Sequence, residues 1–233
     1  MSTGSRRAYR TGLSRDLIVD AAQALTAERG LDGWSMRDVA ARLDTSLSVI
    51  YHHVGDRGAV CAAVVDRVYA EMDLRMDTTN WRQLLHRVLS SMIDHLAEYP
   101  GVATWLLRNG PQTEALLPVL DAGVSLMSDA GWGAESAVAY SVAFNTCLGL
   151  IALGDQEVSG TDPGLPGLLA LLDSDPSVGP GAEQMRQMVE RFTADGAERA
   201  ATRREYCLYA LDRVLDGLQL RLDQLTSGPI APQ

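Results

Sequence analysis

The chain has 233 residues, of which 46% are hydrophobic and 21% charged. This balance is typical of a folded globular protein and excludes wholesale disorder and low-complexity sequence. The 20 basic residues are all arginine and stand against 30 acidic ones, which gives a net charge of −10. No apolar run approaches the ~18 to 20 residues of a membrane span, and no apolar stretch follows the N-terminal arginines. We therefore expect a cytoplasmic protein without a membrane partner.

Positive charge is concentrated at the N-terminus. Residues 1–13 contain Arg6, Arg7 and Arg10 and no acidic residue, whereas residues 58–233 contain 12 arginines and 23 acids. Only the N-terminal quarter is therefore expected to tolerate a polyanion. We predict a flexible basic tail over residues 1–13, with its arginines close to phosphates or the minor groove of DNA.

Three short helices are predicted after this tail. Ser14 is a suitable N-cap for a helix that Gly30 ends, and Ser35 is a suitable N-cap for a second helix. A break of three residues then leads to a third helix over residues 47–54. Two short helices separated by about three residues are the helix-turn-helix pattern.

The rest of the chain has longer helical patterns and no alternating run of strand type. We expect an all-α protein, with a helix-turn-helix domain over residues 14–57, a larger helical domain over 58–225 and a flexible end over 226–233. The three cysteines are too widely spaced for a regular disulfide framework, and we expect buried thiols. Helices are predicted in this part at residues 56–76, 81–98, 101–108, 113–129, 134–154, 165–173, 182–194 and 197–225.

Residues 14–65 resemble the DNA-binding domain of the TetR family of bacterial transcription regulators. The matching pieces are Gly30 at the end of the first helix, S-M-R-D-V-A-x-R-L in the second, and L-S-V-I-Y-H-H-V-G-D-R-G-A-V across the third and fourth. Asp44 stands where the family usually has glycine. Aspartate tolerates the left-handed conformation that such a turn needs, although it places a negative charge near the DNA.

The third helix has the side chains that a recognition helix requires. A helix in the major groove needs short residues at its start to approach base edges, and polar or aromatic donors on its flanks to reach phosphates. The short residues are Ser46, Leu47, Ser48 and Val49, and the donors are Tyr51, His52 and His53. The resemblance implies that Leu47, Val49 and His52 read bases, and that Ser35, Tyr51, His53 and Arg57 hold phosphates.

Other interpretations of this segment are open. His52 and His53 are a possible metal pair, but adjacent helical residues point about 100° apart and no third ligand is suitably spaced, so we expect no metal. Tyr51 is also a possible core aromatic. The whole segment is compatible with a three-helix module that does not bind nucleic acid.

A leucine seam follows the last helix at alternating spacings of three and four residues. Such a seam suits a second helix packed nearly in line with it, although part of it can dock on the chain's own core. Together with the nearly all-apolar helix at residues 134–154, it predicts a homodimer, and the resemblance implies the same four-helix arrangement. The predicted interface residues are Leu208, Leu211, Leu215, Leu218 and Leu222.

Residues 80–157 resemble the ligand-binding half of the tetracycline-repressor type within the family. The resemblance is carried by Asn80-Trp81-Arg82, Tyr99-Pro100-Gly101, Asn109-Gly110-Pro111, Ala130-Gly131-Trp132, Leu148-Gly149 and Gly154-Asp155-Gln156-Glu157. The drug-and-magnesium site of that type uses a histidine near the position of Trp105 and an asparagine near Val88. This sequence has neither, so we expect no magnesium, no other cofactor and a ligand other than tetracycline.

An apolar pocket is the expected ligand site. Methionine and tryptophan around an adaptable pocket suit a bulky and mostly apolar effector, although each residue taken singly is also a plausible core residue. The predicted lining residues are Leu85, Val88, Met92, Leu96, Trp105, Leu116, Leu120, Met127, Phe144 and Leu148.

The sequence thus predicts a homodimeric repressor that binds a double-stranded palindromic operator and releases it when a small effector binds. Release would follow a shift of the fourth helix that changes the spacing of the two recognition helices. One alternative is a helical ligand-binding protein without DNA function. An enzyme is a further alternative, but the sequence contains no GxSxG, HExxH or P-loop motif.

Overall fold

A computed structural model describes residues 13–110, 114–158, 164–174 and 179–227, and within these ranges every regular element is helical. The all-α prediction is therefore confirmed for the described part of the chain. The basic tail with Arg6, Arg7 and Arg10 lies outside it. The helices are α1 (Arg15–Arg29), α2 (Met36–Arg42), α3 (Leu47–Val54), α4 (Arg57–Ala70), α5 (Trp81–Leu96), α6 (Val102–Asn109), α7 (Leu117–Met127), α8 (Ser136–Val158), α9 (Gly164–Ser174), α10 (Pro180–Thr193) and α11 (Gly196–Thr226).

The first helices begin where their capping residues place them. Ser14 Oγ accepts a hydrogen bond from the Leu17 N–H at 3.2 Å. Ser35 and Asp38 form a reciprocal capping box at the start of α2. Between α2 and α3, Asp44 adopts a φ of 47°, the left-handed conformation expected for this turn. The helix-turn-helix geometry therefore forms without glycine at that position.

Helix α4 ends earlier than predicted. It stops at Ala70, not at residue 76, and the chain then leaves the helix. In this segment Arg75 donates hydrogen bonds to both carboxylate oxygens of Asp73, at 2.6 to 2.9 Å. Residues two apart do not face each other on a helix, so this pair requires a non-helical backbone.

Helix α8 forms the centre of the larger domain, where it packs against α5, α6, α7 and α11. Glu114–Asp155 has a mean hydropathy of 1.6 in its most apolar window, which by length and composition alone would suit a membrane span. The run is interrupted, however, by non-helical backbone at Gly131, with a φ of 106°. We interpret it as two core helices separated by a kink.

Much of the leucine seam packs on the chain's own core, which the sequence analysis had left open. Leu211, Leu215 and Leu222 are buried within the single chain, and Leu208 and Leu218 are half-buried against the same core. Helix α11 packs against α5 and α8 of its own chain, so this packing accounts for the three buried leucines, whereas Leu208 and Leu218 keep part of their side chains exposed. The opposite face of α11 carries exposed apolar residues instead: Tyr206, Tyr209 and Leu220.

Candidate nucleic-acid interface and inner cavity

Helix α3 has one buried face and one broad exposed face. Ile50 is completely buried, and Leu47 and Val54 are half-buried beside it, so these three residues anchor the helix to α1 and α2. Residues 48, 49 and 51–53 lie on the outer side. The buried apolar edge fixes the orientation of this short helix and leaves the other side free for contacts.

Most of the predicted DNA-contacting side chains lie on this exposed face or beside it. Tyr51 is 49% exposed, which excludes the alternative of a core aromatic. Leu47 is half-buried and presents only part of its side chain to solvent. The exposed members of the predicted set are Ser35, Ser46, Ser48, Val49, Tyr51, His52 and His53.

The two histidines of α3 do not converge on a common point. Their rings lie nearly edge to face, with centroids 5.8 Å apart. In the described part of the chain, no group of three histidine, cysteine or acidic residues is arranged to hold a metal ion. The pair therefore offers two separate hydrogen-bonding groups on the outer face of α3.

Ser35 and Asp38 place a carboxylate at the start of α2. The Ser35 hydroxyl donates to Asp38 Oδ2 at 2.5 Å, and the Ser35 N–H donates to the same oxygen at 2.7 Å. These hydrogen bonds lower the pKa of the Asp38 carboxyl, with a smaller contribution from Arg29. The cap is therefore held by a charged acceptor, and Ser35 is already engaged in that cap.

Arg57, which is predicted to hold a phosphate, packs against the loop between α1 and α2. Its Nη2 donates a hydrogen bond of 2.7 Å to the carbonyl oxygen of Leu31, and its guanidinium lies 5.0 Å from the centroid of the Trp34 ring. Asp32 is a further ionic partner at 3.5 Å. The geometry thus favours a structural role, in which Arg57 holds the start of α4 to the loop between α1 and α2.

The same loop carries the contact between the N-terminal helices and the larger domain. The Leu31 N–H donates to the carbonyl oxygen of Pro100 at 2.7 Å, and Gln23 Nε2 donates to Tyr99 Oη at 3.2 Å. A Cβ on Gly101, whose φ is 91°, would lie 3.1 Å from Leu31 Cβ. We call this contact the domain junction. It was not predicted, although the Tyr99-Pro100-Gly101 turn had been identified in the sequence.

A cavity of about 520 Å³ lies behind this junction, between the end of α5, the end of α8 and the start of α11. Its lining includes Pro100, so the cavity and the domain junction share the turn between α5 and α6. Its main apolar lining residues are Ile93, Ala97, Leu150, Ile151 and Cys207, and its charged ones are Asp94, Asp155, Arg199, Arg203 and Arg204.

None of the ten predicted ligand-contacting residues lines this cavity. Trp105 is half-buried and Leu120 is 41% exposed. The other eight are buried core residues, because large apolar side chains on α5, α7 and α8 fill the space between these helices: Leu85, Val88, Met92, Leu96, Leu116, Met127, Phe144 and Leu148. This cavity is therefore lined by residues on another face of α5.

Asp155 connects the cavity to the turn that carries the junction. Its carboxylate accepts hydrogen bonds from the N–H groups of Gly101 and Thr104 and from the Thr104 hydroxyl, at the start of α6. Burial nevertheless raises the pKa of Asp155 to about 6, because desolvation outweighs these hydrogen bonds and the nearby Arg203. Burial also lowers the pKa of Arg203 and raises that of Cys207 on the same wall.

The N-terminal helices are similar to those of a known protein family. Residues 18–64 match the family described as bacterial regulatory proteins, tetR family. Over 110 residues, 46% of this chain, the sequence is 31% identical to the "HTH-type transcriptional repressor DrrR1" of Streptomyces coeruleorubidus. The chain covers only 39% of the length of that relative.

Solved structures share the fold along most of the chain. A possible TetR family transcriptional regulator from Streptomyces coelicolor A3(2) has a TM-score of 0.69 at 19% identity, covering 89% of this chain and 99% of that one. The S. coelicolor TetR family protein ActR in complex with actinorhodin has a TM-score of 0.63 at 20% identity, covering 89% and 98%. At these identities the similarity establishes the fold alone.

Proposed function

We propose that this chain is a cytoplasmic, ligand-responsive transcriptional repressor and not an enzyme. It binds a palindromic operator as a homodimer. The match of residues 18–64 to the family described as bacterial regulatory proteins, tetR family, supports this proposal. The observation that carries this proposal is the exposed face of α3, which presents serine, tyrosine and histidine side chains on a helix held in place by its opposite edge.

The exposed face of α3 suits the major groove. Ser48 and Val49 are short enough to bring the start of the helix close to base edges, and His52, one turn later, is a hydrogen-bonding group for a base. Tyr51 and His53 flank that line and suit phosphate contacts, together with Ser35 at the start of α2. Leu47 contributes an apolar edge only, and Arg57 acts on the loop behind.

Two apolar stripes that stay exposed in the described part of the chain support the proposed dimer. On α8, Val138, Val142 and Leu153 are 66%, 46% and 60% exposed and fall within about 60° of one another around the helix. On α11, Tyr206, Tyr209 and Leu220 form a similar stripe. Each stripe contains a glycine whose added Cβ would meet none of the described residues within 4 Å, Gly149 on α8 and Gly217 on α11.

Two such stripes suit a four-helix interface with a second copy. Exposed glycines permit close approach of the partner helices, and aromatic residues supply a large contact area. A two-fold axis through this interface would present the two α3 helices to half-sites ~34 to 36 Å apart, one turn of DNA.

The effector is proposed to be a small and largely apolar molecule bound in the C-terminal half. ActR, which shares the fold, has been solved in complex with actinorhodin, so the architecture accommodates a ligand in that protein. In this chain the domain junction between Leu31 and Pro100 supplies a direct link from the larger domain to α1 and α2. A ligand that favours a different position of the Pro100 turn would move the DNA-binding helices with it, and a coupling of ~1 to 3 kcal/mol changes affinity ~5 to 150-fold.

The test is a gel-shift titration of the full chain with a palindromic duplex from its own promoter region, repeated over a salt series. We expect a retarded complex whose affinity falls with salt, because the predicted contacts of the N-terminal arginines would replace counterions at phosphates. His52→Ala and His53→Ala form a matched pair on α3. His52→Ala should reduce the preference for the operator over a duplex with one changed base pair by about 1 to 3 kcal/mol, whereas His53→Ala should weaken binding to both duplexes equally. Absence of any retarded band at low salt would favour a helical ligand-binding protein without DNA function.

A further inference from the structure

The cavity between α5, α8 and α11 has the dimensions of a small-molecule site. Its volume of about 520 Å³ falls within the ~300 to 1,000 Å³ of sites that hold drug-sized ligands. The floor is apolar, formed by Ile93, Leu150, Ile151 and Pro100. Such a surface favours a ligand that buries mostly carbon.

The charged lining residues disfavour an ionic ligand. Three arginines and two aspartates line the cavity, so a cation would face an excess of positive charge. Two of the three arginines are also engaged in other contacts. Arg204 donates to both oxygens of Asp94 at 2.6 and 3.0 Å, and Arg199 donates to the Ala194 carbonyl at 2.7 Å and pairs with Asp195 at 3.5 Å. A carboxylate or phosphate ligand would have to compete with these contacts.

One acceptor in the wall is left without a donor. Asp155 receives its hydrogen bonds from the start of α6, but within the described part of the chain its buried Oδ2 has no hydrogen-bond partner. A buried carboxylate oxygen without a donor is costly, and an uncharged hydroxyl supplies the missing hydrogen bond without adding charge.

We propose that this cavity is a ligand site for an uncharged, mostly apolar polycyclic molecule that presents a hydroxyl group to Asp155. This deepens the proposed function, on which its regulatory part rests. The ligand would contact Pro100, whose carbonyl oxygen accepts a hydrogen bond from the Leu31 N–H. It would also contact Asp155, whose carboxylate accepts hydrogen bonds from the start of α6. Occupancy of the cavity and the position of the DNA-binding helices are thereby linked through one turn.

The experiment compares four pyrene probes on the full chain by fluorescence titration: hydroxypyrene, methylpyrene, aminomethylpyrene and pyrene carboxylate. They share the ring system and differ in one substituent, which is a neutral donor, an apolar group, a cation or an anion. We expect hydroxypyrene to bind about tenfold more tightly than methylpyrene, since a hydrogen bond to a charged acceptor is worth about that factor. The two charged probes should bind more weakly than hydroxypyrene.

Two tryptophan variants on α11 locate the site. Ala200 lines the cavity and is exposed at its edge, whereas Ala197, also exposed and one turn earlier, does not line it. Ala200→Trp should lose about tenfold or more in hydroxypyrene affinity by filling space, and Ala197→Trp should bind like the wild type. If Ala200→Trp fails to fold by circular dichroism, Ala97→Phe fills the cavity from α5 and carries the same expectation.

The outcomes separate this inference from the proposed function. Equal hydroxypyrene affinity in the Ala200→Trp and Ala197→Trp variants, or tightest binding of a charged probe, overturns the inference. Retention on a DNA column in a salt gradient, measured on the same preparation without any probe, tests the repressor proposal alone. If the chain binds hydroxypyrene in the cavity but is not retained on DNA, the ligand site is supported and the regulatory role proposed for it is refuted.

Discussion

Replacement of Arg57 by lysine distinguishes a structural arginine from a phosphate contact. Lysine keeps the positive charge but loses the planar fork that reaches the Leu31 carbonyl at 2.7 Å while the guanidinium lies over Trp34. A hydrogen bond from a charged donor contributes about 1.5 kcal/mol at the low end of its range, and a partly exposed cation–π contact contributes about 0.5 to 1 kcal/mol. We use the lower values because the Arg57 side chain is 38% exposed.

The expected loss of unfolding free energy is therefore about 2 kcal/mol, which for a chain of this size lowers the melting temperature by about 4 to 8 °C. Thermal unfolding by circular dichroism measures it. In a salt series of operator binding, Arg57→Lys and Arg57→Gln should keep the wild-type slope. Arg42→Gln is the control for stability, since Arg42 lies on the same domain and only pairs with Glu28 at the surface.

The opposite pattern would refute this reasoning. If Arg57 holds a phosphate, Arg57→Lys should melt like the wild type and bind DNA nearly as well. Arg57→Gln should then lower the salt slope by about 0.9, the contribution of one phosphate contact.

Three further predictions concern the junction, the dimer and the cavity. Gly101→Ala should lose more stability in denaturant unfolding than Gly110→Ala, because both glycines have a positive φ but only a Cβ on Gly101 would approach Leu31 at 3.1 Å; equal losses would mean that the contact is unimportant. Gly149→Arg should yield monomers in sedimentation, and these should retain the wild-type helix content because an added Cβ meets none of the described residues within 4 Å. Gly149→Ala is the control and should leave the dimer intact. A dimeric Gly149→Arg variant would argue against this face as the interface. Burial raises the pKa of Asp155 from its ordinary 3.8 to about 6, so its stabilising protonation is complete below about pH 4 and is lost as the pH rises through 6. The unfolding free energy of wild type minus that of Asp155→Asn should accordingly fall from about pH 4.5 to about pH 7, and a constant difference would contradict this assignment.

Local signals predicted the N-terminal helices well because short-range contacts determine them. Ser14 and Ser35 cap α1 and α2 through hydrogen bonds that span three residues, and Gly30 ends α1 with a positive φ. The end of α4 was missed for the opposite reason. Met72 and Met76 continue an apolar helical period in the sequence, but the backbone leaves the helix and Asp73 pairs with Arg75.

Sequence spacing predicted that α11 has an apolar face but not what that face contacts. Leucines at spacings of three and four residues suit a partner helix in another chain as well as they suit α5 and α8 in the same chain. Long-range packing determines which helices the leucines contact, and in this chain it buries Leu211 and Leu215 completely or nearly so. Tyr206 and Tyr209, on the other face, are the residues that a second copy can reach. The role of Arg57 was likewise undecidable without the position of the Leu31 carbonyl.

The cavity lies away from the predicted lining residues because large apolar side chains fill space and small ones leave it. Close packing converts Leu85, Val88 and Met92 into core, whatever their suitability for a ligand. The space remains between α5 and α11, where the small side chains of Ala97 and Ala200 line the cavity. Sequence analysis could not pair these alanines, since they lie about a hundred residues apart. The cavity there also includes Pro100, so the proposed ligand would need to shift only one turn to act on the Leu31 contact and, through it, on the helices that we propose to face DNA.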